Sequence, residues 1–402
     1  MRFEKDWGRL GLRYKNLSDF SIGKGTYGIS ASAVGKDDNL PTYLRITDIN
    51  DDGTINFASL KSVDRSDADK YRLQPNDIVF ARTGGSTGRS YFYDGKDGEF
   101  VFAGFLIKFS IDPQKCIPKF IKYYCQSREY YNWVASFNTG STRGNINAKT
   151  FEKMPIPDLP LEQQQLIVDI LSPIDDKIEN NKKINHHLEE ILQANLEKQL
   201  ESISIKSKII DLNLTVSDHV ANGSFKSLKD NVKLVEKTDY ALFLRNIDLK
   251  NHLNGERRYV TESSYEFLKK SRLYGHEVII SNVADVGSVH RVPKMNMPMV
   301  AGNNVVFLQS ENSLLTDYLY VYFNSRLGQH DIMSITSGSA QQKFNKTDFR
   351  NLEIPILSDD IIKKKISSIL HYIDNIHEEI ACLMKIRATL LPKLLSGEIS
   401  VN

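Results

Sequence analysis

Two glycine-rich stretches near the N-terminus contain the residue types that bind phosphate groups. Residues 23–28 read GKGTYG, a GxGxxG pattern, and Asp48 follows about twenty residues later, where a ribose ligand would lie. Residues 83–90 read TGGSTGRS, a phosphate-loop pattern that is one residue short and has Arg89 in place of the lysine. No helix is predicted to start at Gly28 and no βαβ unit surrounds it, so we expect turn-rich loops and no nucleotide site.

These loops are not accompanied by a methyltransferase or zinc-protease motif. The sequence lacks the NPPY-like tetrapeptide of amino-methyltransferases and the HExxH motif. His186 and His187 lie beside Glu189 and Glu190 on a predicted helix, where adjacent side chains point in different directions. A solvated helix face explains these histidines better than a metal site does. The sequence therefore favours a binding protein over an enzyme.

Composition limits the classes of partner and compartment. Charged residues make up 25% of the chain but the net charge is only +2, so any basic surface must be local. Cys116, Cys125 and Cys382 have no zinc-ligand spacing, and an odd number of cysteines without a signal peptide predicts reduced thiols. No apolar run approaches the roughly 18 residues of a membrane helix. We therefore expect a cytoplasmic protein that does not bind membranes.

The chain contains one layout twice, and at 402 residues it is too long for one ordinary core. Short β-branched runs starting at Asp77 and Glu277 predict strands that lead into polar loops. The further matched segments are 42–49 with 241–249, 71–93 with 271–293, 120–128 with 318–326 (predicted helical), 138–147 with 336–345, and Leu17-Ser18-Asp19 with Val216-Ser217-Asp218.

Each copy ends in a long predicted helix. Residues 154–200 and 352–399 share an Ile-Pro pair followed by apolar residues three and four apart, which is the pattern of a coiled-coil seam. Polar residues interrupt the first seam, and a buried asparagine trades stability for a fixed register. The first seam contains Leu171, Ile174, Ile178, Asn181, Asn185, Leu188, Leu192 and Asn195, and the second Ile373, Ile376, Ile380, Leu383, Arg387, Leu390 and Leu394.

These patterns predict an α/β (α+β) fold with two tandem mixed α/β domains, each followed by a long helix. The two helices are expected to pair as an antiparallel coiled coil, because each has one apolar stripe to bury. The predicted boundaries are 1–153 for the first domain, 154–204 for its helical region, 205–351 for the second domain and 352–402 for its helical region.

The loop after the strand predicted to start at Asp77 or Glu277 carries side chains that suit phosphate oxygens and base edges. Because the two sets differ, two domains that read bases must read different sequences. A solvated hairpin loop is the alternative for any one of these residues. The first set comprises Arg82, Thr83, Ser86, Thr87 and Arg89, and the second Ser281, Asn282, Asp285, Ser288, His290 and Arg291.

A second polar set precedes each long helix. It comprises Thr142, Arg143 and Asn145 in the first copy and Gln341, Gln342 and Lys343 in the second. Helix capping by Asn147 and Asn345 is the alternative explanation for these polar segments. Arg45 and Arg245 are shared by both copies, which fits a phosphate contact or a structural ion pair better than sequence discrimination.

The whole chain resembles the specificity subunit of a type I restriction-modification system. Ile156-Pro157, Leu161-Glu162-Gln163, Ile170-Leu171 and Ile174-Asp175 are similar to the conserved helical region of that family, and residues 354–374 are a degenerate second version. Gly140-Ser141 and Gly338-Ser339 with Gln341 resemble the end of each target recognition domain. The second copy departs from the family by replacing Glu-Gln with Ser358-Asp359-Asp360-Ile361, which puts in doubt contacts specific to Glu162 and Gln163.

The resemblance implies a non-catalytic subunit that recognises a bipartite double-stranded DNA sequence, one half per domain. Two methyltransferase subunits would carry S-adenosylmethionine and methylate adenine, and nuclease/translocase subunits would join for restriction. This chain itself is expected to hold no cofactor. The alternatives are a stand-alone tandem DNA-binding regulator, and a self-contained DNA methyltransferase, against which the missing tetrapeptide argues.

Overall fold

The computed structural model describes residues 13–137, 144–251, 253, 255–338 and 341–399. The chain divides into two compact units: unit 1 is Met1–Asn180 with Ile380–Asn402, and unit 2 is Asn181–Glu379. Each unit therefore contains part of both long helices. The boundaries between the units fall inside the helical regions predicted at 154–204 and 352–402. Among the residues described, no helix has the length and apolar character that a membrane span requires.

Unit 1 contains a four-stranded antiparallel sheet in the order β2-β8-β5-β6, a three-stranded sheet β4-β3-β7, and the antiparallel pair β1-β9. Its strands are β1 (Tyr14–Asn16), β2 (Ser21–Tyr27), β3 (Thr42–Leu44), β4 (Lys61–Ser62), β5 (Asp77–Ala81), β6 (Ser90–Tyr93), β7 (Phe100–Phe102), β8 (Leu106–Ile111) and β9 (Pro155–Pro157). Its helices are α1 (Pro118–Tyr124), α2 (Arg128–Ala135), α3 (Ala148–Glu152), the first half of α4 (Leu161–Leu200) and the last part of α12 (Ser368–Leu395).

Strand β5 is buried on both faces of its sheet. Side chains alternate along a strand, so Ile78 and Phe80 enter the core shared with the helices, whereas Val79 and Ala81 enter the core shared with β3 and β7. The ring of Phe80 stacks on that of Phe151 in α3, with centroids 4.7 Å apart. The end of β5 is therefore fixed from both sides, and the loop that follows starts from a rigid point.

Unit 2 repeats this architecture with the sheets β11-β19-β16-β17, β12-β14-β13-β18-β15 and β10-β20. Its strands are β10 (Lys206–Lys208), β11 (Thr215–Asp218), β12 (Leu234–Val235), β13 (Ala241–Leu244), β14 (Tyr259–Val260), β15 (Arg272–Leu273), β16 (Val278–Ser281), β17 (Val289–Arg291), β18 (Met299–Ala301), β19 (Val305–Gln309) and β20 (Glu353–Pro355). Its helices are the second half of α4, α5 (Phe225–Asn231), α6 (Asn246–Lys250), α7 (Glu262–Phe267), α8 (Ser313–Asn324), α9 (Arg326–Ser334), α10 (Lys346–Arg350), α11 (Asp359–Ile362) and, after a π-helical turn at Lys363–Ser367, the first part of α12 (Ser368–Leu395).

The equivalent of β5 in unit 2 is β16. Val278 and Ile280 face the core that contains α8, and Ile279 faces the core that contains β13 and β18. This alternation repeats that of β5 and confirms the predicted pair of mixed α/β domains.

The predicted alignment of the two copies is wrong at their starts. The backbone nitrogen of Leu17 donates to the carbonyl of Met154 (2.9 Å), and that of Ile209 donates to the carbonyl of Leu352 (3.1 Å). Leu17 therefore corresponds to Ile209, not to Val216, which lies in β11. Three similar residues are too short a match to fix an alignment, whereas the pairing of β1 with β9 and of β10 with β20 does so.

The long helices pair in each unit. In unit 1, Ile167 and Leu171 near the start of α4 share a core with Leu391 and Leu394 near the end of α12. In unit 2, Leu192 and Leu196 near the end of α4 share a core with residues of α11 and the start of α12, namely Ile362, Leu370 and Ile373. The start of one helix thus meets the end of the other, which confirms the predicted antiparallel coiled coil.

Two of the seam asparagines are buried. Asn181 and Asn185 are 1% and 4% exposed, and Asn181 Nδ2 donates to Glu379 Oε2 at 2.8 Å. Asn185 Nδ2 lies 3.5 Å from the carbonyl of Ile373, while its buried Oδ1 has no hydrogen-bond partner within the described ranges. Asn195 is only half-buried. The seam therefore contains a polar layer in unit 2, as its sequence predicted.

Candidate nucleic-acid interface

The two predicted polar segments lie side by side in each unit. In unit 1, the nitrogen of Ile146 donates to the carbonyl of Arg82 at 2.9 Å, and Thr83 forms a β-bridge with Asn145. In unit 2, the nitrogen of Phe344 donates to the carbonyl of Asn282 at 3.1 Å, and Val283 forms a β-bridge with Lys343. The same backbone framework thus joins the loop after the central strand to the segment before α3 or α10. We call these the reading loops, 82–89 in unit 1 and 282–288 in unit 2.

The reading loop of unit 1 is held tightly against α2. Gly88 has a φ of 88°, and a Cβ there would lie 2.5 Å from Val134, so glycine is required at this position. Its carbonyl accepts a hydrogen bond of 2.5 Å from the hydroxyl of Tyr130. Ser86 is buried, and Thr87 Oγ1 donates to the carbonyls of Gly84 and Gly144. The Thr87 hydroxyl therefore maintains the shape of the loop, and contacts of Ser86 and Thr87 with DNA stay a prediction.

Arg82 has a guanidinium that no carboxylate neutralises among the residues described. Its Cζ lies 5.2 Å from the ring centroid of Tyr27, and its buried Nε has no hydrogen-bond partner there. Tyr27 and Phe105 are both exposed, and the backbone of Arg82 donates to the carbonyl of Phe105 at 3.1 Å. A free cation over the exposed ring of Tyr27 suits a bidentate contact with a base edge. Sequence reasoning missed both rings.

Arg89 is held by the preceding connection between β3 and β4. Its Nε lies 2.6 Å from Asp51 Oδ1, and its Nη1 donates to the carbonyl of Ile49 at 3.0 Å. Asp51 itself is largely exposed. The geometry positions the guanidinium at the edge of the reading loop.

The reading loop of unit 2 carries a different set of groups. Asn282 Nδ2 lies 3.4 Å from the carbonyl of Phe344, and its buried Oδ1 has no partner in the described ranges. Asp285 Oδ2 accepts hydrogen bonds from Asn246 Nδ2 (2.9 Å) and Lys250 Nζ (3.1 Å). The hydrogen bond from Lys250 is the main reason that the pKa of Asp285 is lowered. This loop therefore presents an ionised carboxylate.

Three residues that the sequence assigned to this loop lie on strands instead. Ser281 ends β16, and His290 and Arg291 belong to β17, because the antiparallel pairing of these strands continues to their ends. Ser281 is buried, and His290 Nε2 lies 2.9 Å from Ser288 Oγ.

Arg291 is engaged with two helices rather than with the loop. Its guanidinium pairs with Asp317 of α8 (3.4 Å) and with Asp374 of α12, and lies over the ring of Tyr320. Its side chain is only 15% exposed. A contact between Arg291 and DNA stays a prediction, and these ion pairs count against it.

Arg45 and Arg245 form the same ion pair in the two units. Each guanidinium binds the aspartate three residues later, Asp48 or Asp248, with an Nη2–Oδ1 distance of 2.6 Å and an Nε–Oδ2 distance of 2.9 Å. Each also donates to a backbone carbonyl, that of Ser59 or Glu256. Of the two interpretations, the structural ion pair is the one that the geometry displays. A phosphate contact stays a prediction.

The segments before α3 and α10 also cap those helices. Asn147 Oδ1 accepts from the nitrogen of Thr150 (2.9 Å), and Asn345 Oδ1 from that of Asp348 (2.8 Å). Gln341 and Lys343 are exposed beside the reading loop of unit 2. Thr142, Arg143, Gly140, Ser141 and Ser339 lie outside the described residues.

The histidines of α4 are exposed and pair with Glu190, His186 Nε2 at 3.4 Å and His187 Nδ1 at 3.1 Å. In the described part of the chain, no three histidine, cysteine or acidic side chains are grouped as metal ligands.

The two units together match one protein family. Residues 17–190 and 202–382 each match the family described as Type I restriction modification DNA specificity domain. The chain belongs to this specificity family. It is 24% identical over 323 residues to the specificity subunit of the type I restriction enzyme MjaIX from Methanocaldococcus jannaschii, covering 71% of this chain and 70% of that protein.

Further relatives support the assignment. A segment of 129 residues is 29% identical to the specificity subunit of the type I restriction enzyme HindI from Haemophilus influenzae, covering 31% of this chain and 28% of that protein. The fold is similar to the crystal structure of a type I restriction-modification S subunit from M. genitalium, with a TM-score of 0.55, 16% identity and 96% of both chains covered. Members of this family are specificity subunits, not the catalytic subunits of their systems.

The start of α4 carries the Leu161-Glu162-Gln163 motif of the specificity family. Glu162 is exposed and Gln163 is half-buried, whereas the neighbouring Gln164 is buried. Gln164 Oε1 accepts from the nitrogen of Ile117 (2.9 Å), and its Nε2 donates to the carbonyl of Leu159 (2.8 Å). Gln164 therefore has the structural role at this helix start, and sequence reasoning had singled out its neighbours. In unit 2, Ser358 caps α11 instead.

Proposed function

We propose that this chain recognises a bipartite DNA sequence for a type I restriction-modification complex in the cytoplasm, with one half-site read by each unit. The proposal rests on one observation: the two units share the backbone framework of the reading loop but carry different side chains on it. Arg82 and Asn282 occupy the same place on the bridged backbone, yet one is a cation and the other an amide. Arginine pairs with guanine and asparagine with adenine in the major groove, so the two units suit different half-sites.

The catalytic steps are assigned to partner subunits. Two methyltransferase subunits would carry S-adenosylmethionine and methylate adenine, and nuclease/translocase subunits would join for restriction. The absence of a methyltransferase tetrapeptide from the sequence supports this division. Isothermal titration of S-adenosylmethionine into the purified chain should give no binding, and measurable binding would contradict it.

The paired helices are proposed to set the unspecified spacer between the half-sites and to dock the methyltransferases. Helices α4 and α12 are continuous where the chain passes between the units, at Asn180–Asn181 and Glu379–Ile380. A helix has a fixed rise of about 1.5 Å per residue, so its length can determine a separation along the duplex.

The test is to co-express the chain with its methyltransferase in a host without adenine methylation and to sequence the methylated sites. We expect one two-part motif that disappears when this chain is omitted. Arg82→Ala should relax one half and Asn282→Ala the other, each at a cost of about 1–3 kcal/mol. Methylation that does not depend on the chain, or two variants that affect the same half, would overturn the proposal.

A further inference from the structure

Each reading loop forms an ion pair with the connection that follows β3 or β13. The loop supplies the positive side chain in unit 1 and the negative side chain in unit 2. In unit 1 the loop supplies the cation, Arg89, and the connection supplies Asp51, 2.6 Å away. In unit 2 the loop supplies the anion, Asp285, and the connection supplies Lys250, 3.1 Å away. Residues 282–288 contain no arginine or lysine, and residues 82–89 contain no carboxylate. The two loops therefore present opposite charge.

Among the residues described, hydrogen bonds to one oxygen of the Asp285 carboxylate orient the side chain and leave the other oxygen without a donor. Its Oδ2 takes both hydrogen bonds, from Asn246 and Lys250, and no donor among the described residues reaches Oδ1. The side chain is 50% exposed. The loop beneath it is fixed, because the nitrogen of Ala284 (φ 67°) donates to the carbonyl of Gln342 at 3.1 Å. One carboxylate oxygen is thus held ready to accept a hydrogen bond.

The chemistry of a carboxylate selects among the bases. An ionised carboxylate only accepts hydrogen bonds, so it repels the O6 and N7 acceptors of guanine and the O4 of thymine. Adenine offers its N6 amino group beside the acceptor N7, whereas cytosine offers its N4 amino group alone in the major groove. Cytosine is therefore the base that fits best.

We propose that Asp285 is a specificity-determining residue that accepts a hydrogen bond from a cytosine N4 amino group in the half-site of unit 2. This inference rests on the proposed function. Lys250 offsets the repulsion between the carboxylate and the phosphates, so Asp285 contributes discrimination rather than affinity.

The experiment maps methylated adenines in cells that express the full chain with its methyltransferase subunits. The variants are Asp285→Ala, Asp285→Asn and Lys250→Ala, and Asp230→Ala serves as a charge-matched control, since Asp230 is exposed on α5 outside the reading loop. Asp285→Ala should relax one C·G position in the half that Asn282→Ala affects, lowering the preference for C·G over the other base pairs at that position roughly 5- to 150-fold. Asp285→Asn should move the preference at that position from cytosine to adenine, because asparagine pairs with adenine N6 and N7. Asp230→Ala should leave the motif unchanged.

An unchanged motif in Asp285→Ala, or relaxation at an A·T position, would overturn the proposal. If Lys250→Ala relaxes the position and Asp285→Ala does not, Lys250 is the reader and Asp285 only orients it, which also contradicts the proposal. Failure of the proposed function is distinguishable, because the wild-type chain would then direct no bipartite methylation at all.

Discussion

Asp175 and Arg387 form an ion pair between α4 and α12 within unit 1, with Arg387 Nε 2.6 Å from Asp175 Oδ1. The Nε–H does not point at this oxygen, so the contact is electrostatic rather than a hydrogen bond. The other oxygen, Oδ2, accepts from Lys122 Nζ at 2.9 Å and from the hydroxyl of Tyr123 at 3.1 Å. One carboxylate therefore ties α1 of the globular region to both long helices.

Removing this carboxylate should destabilise unit 1. Asp175→Ala leaves two partly buried cations without their partner, and we expect a loss of about 1–3 kcal/mol in the free energy of unfolding, less than for a fully buried pair. Urea unfolding followed by circular dichroism measures it. The neighbour Asp176 is half exposed and lies 3.6 Å from Lys96, so Asp176→Ala should cost less than about 1 kcal/mol. Equal losses in the two variants would refute the role of Asp175.

Replacing each of the two buried seam asparagines with leucine should change the free energy of unfolding by different amounts. Asn185 has an unsatisfied Oδ1, so Asn185→Leu removes a desolvation penalty and should raise the free energy of unfolding by about 1–3 kcal/mol. Asn181→Leu loses the 2.8 Å hydrogen bond to Glu379 and should gain less. Denaturant titration of both variants decides the matter, and a loss of stability in Asn185→Leu would show that Asn185 is satisfied in solution.

His219 should make unit 2 sensitive to mild acid. Burial lowers its pKa below the ordinary 6.5, against the opposing effects of the Ala301 carbonyl and Asp218. As the pH falls below 6.5 the unfolded chain is protonated first, so stability falls until the pH reaches the lowered pKa of the folded state. Relative to the wild type, His219→Gln should therefore become more stable as the pH decreases from 7 to 5. A difference in unfolding free energy that does not change with pH would contradict this.

Local patterns in the sequence were sufficient to predict much of the fold. The coiled-coil seam depends on spacings of three and four residues, and the ion pairs of Arg45 and Arg245 join residues three apart. Each of these lies within one or two turns of chain, where periodicity carries the information.

Ion pairs between residues far apart in the chain could not be predicted from local patterns. Arg291 was predicted to lie in a reading loop because of its distance from β16, but its partner Asp374 is 83 residues further along the chain. The pair of Asp285 with Lys250 also depends on tertiary packing, which brings α6 to the loop. A single sequence contains no signal for such pairs beyond the residue types themselves.

The claim that the helices set the spacer between the half-sites can be tested by lengthening both helices where the chain passes from one compact unit to the other. An insertion between Glu197 and Lys198 would disrupt the core that Leu196 shares with Ile362 inside unit 2. Four residues inserted both at Asn180–Asn181 and at Glu379–Ile380 leave each unit whole. The same insertion in α4 alone serves as the control, and we expect it to abolish methylation because the two seams no longer match.

The most direct measurement is sequencing of the methylated sites that the doubly lengthened chain directs. Four helical residues add roughly 6 Å, and base pairs are spaced about 3.4 Å apart, so the spacer should lengthen by about one or two base pairs. Both half-sequences should stay the same, because neither reading loop is changed. An unchanged spacer would contradict the account of the helices as the element that sets half-site separation, and altered half-sequences would contradict the assignment of base reading to the loops.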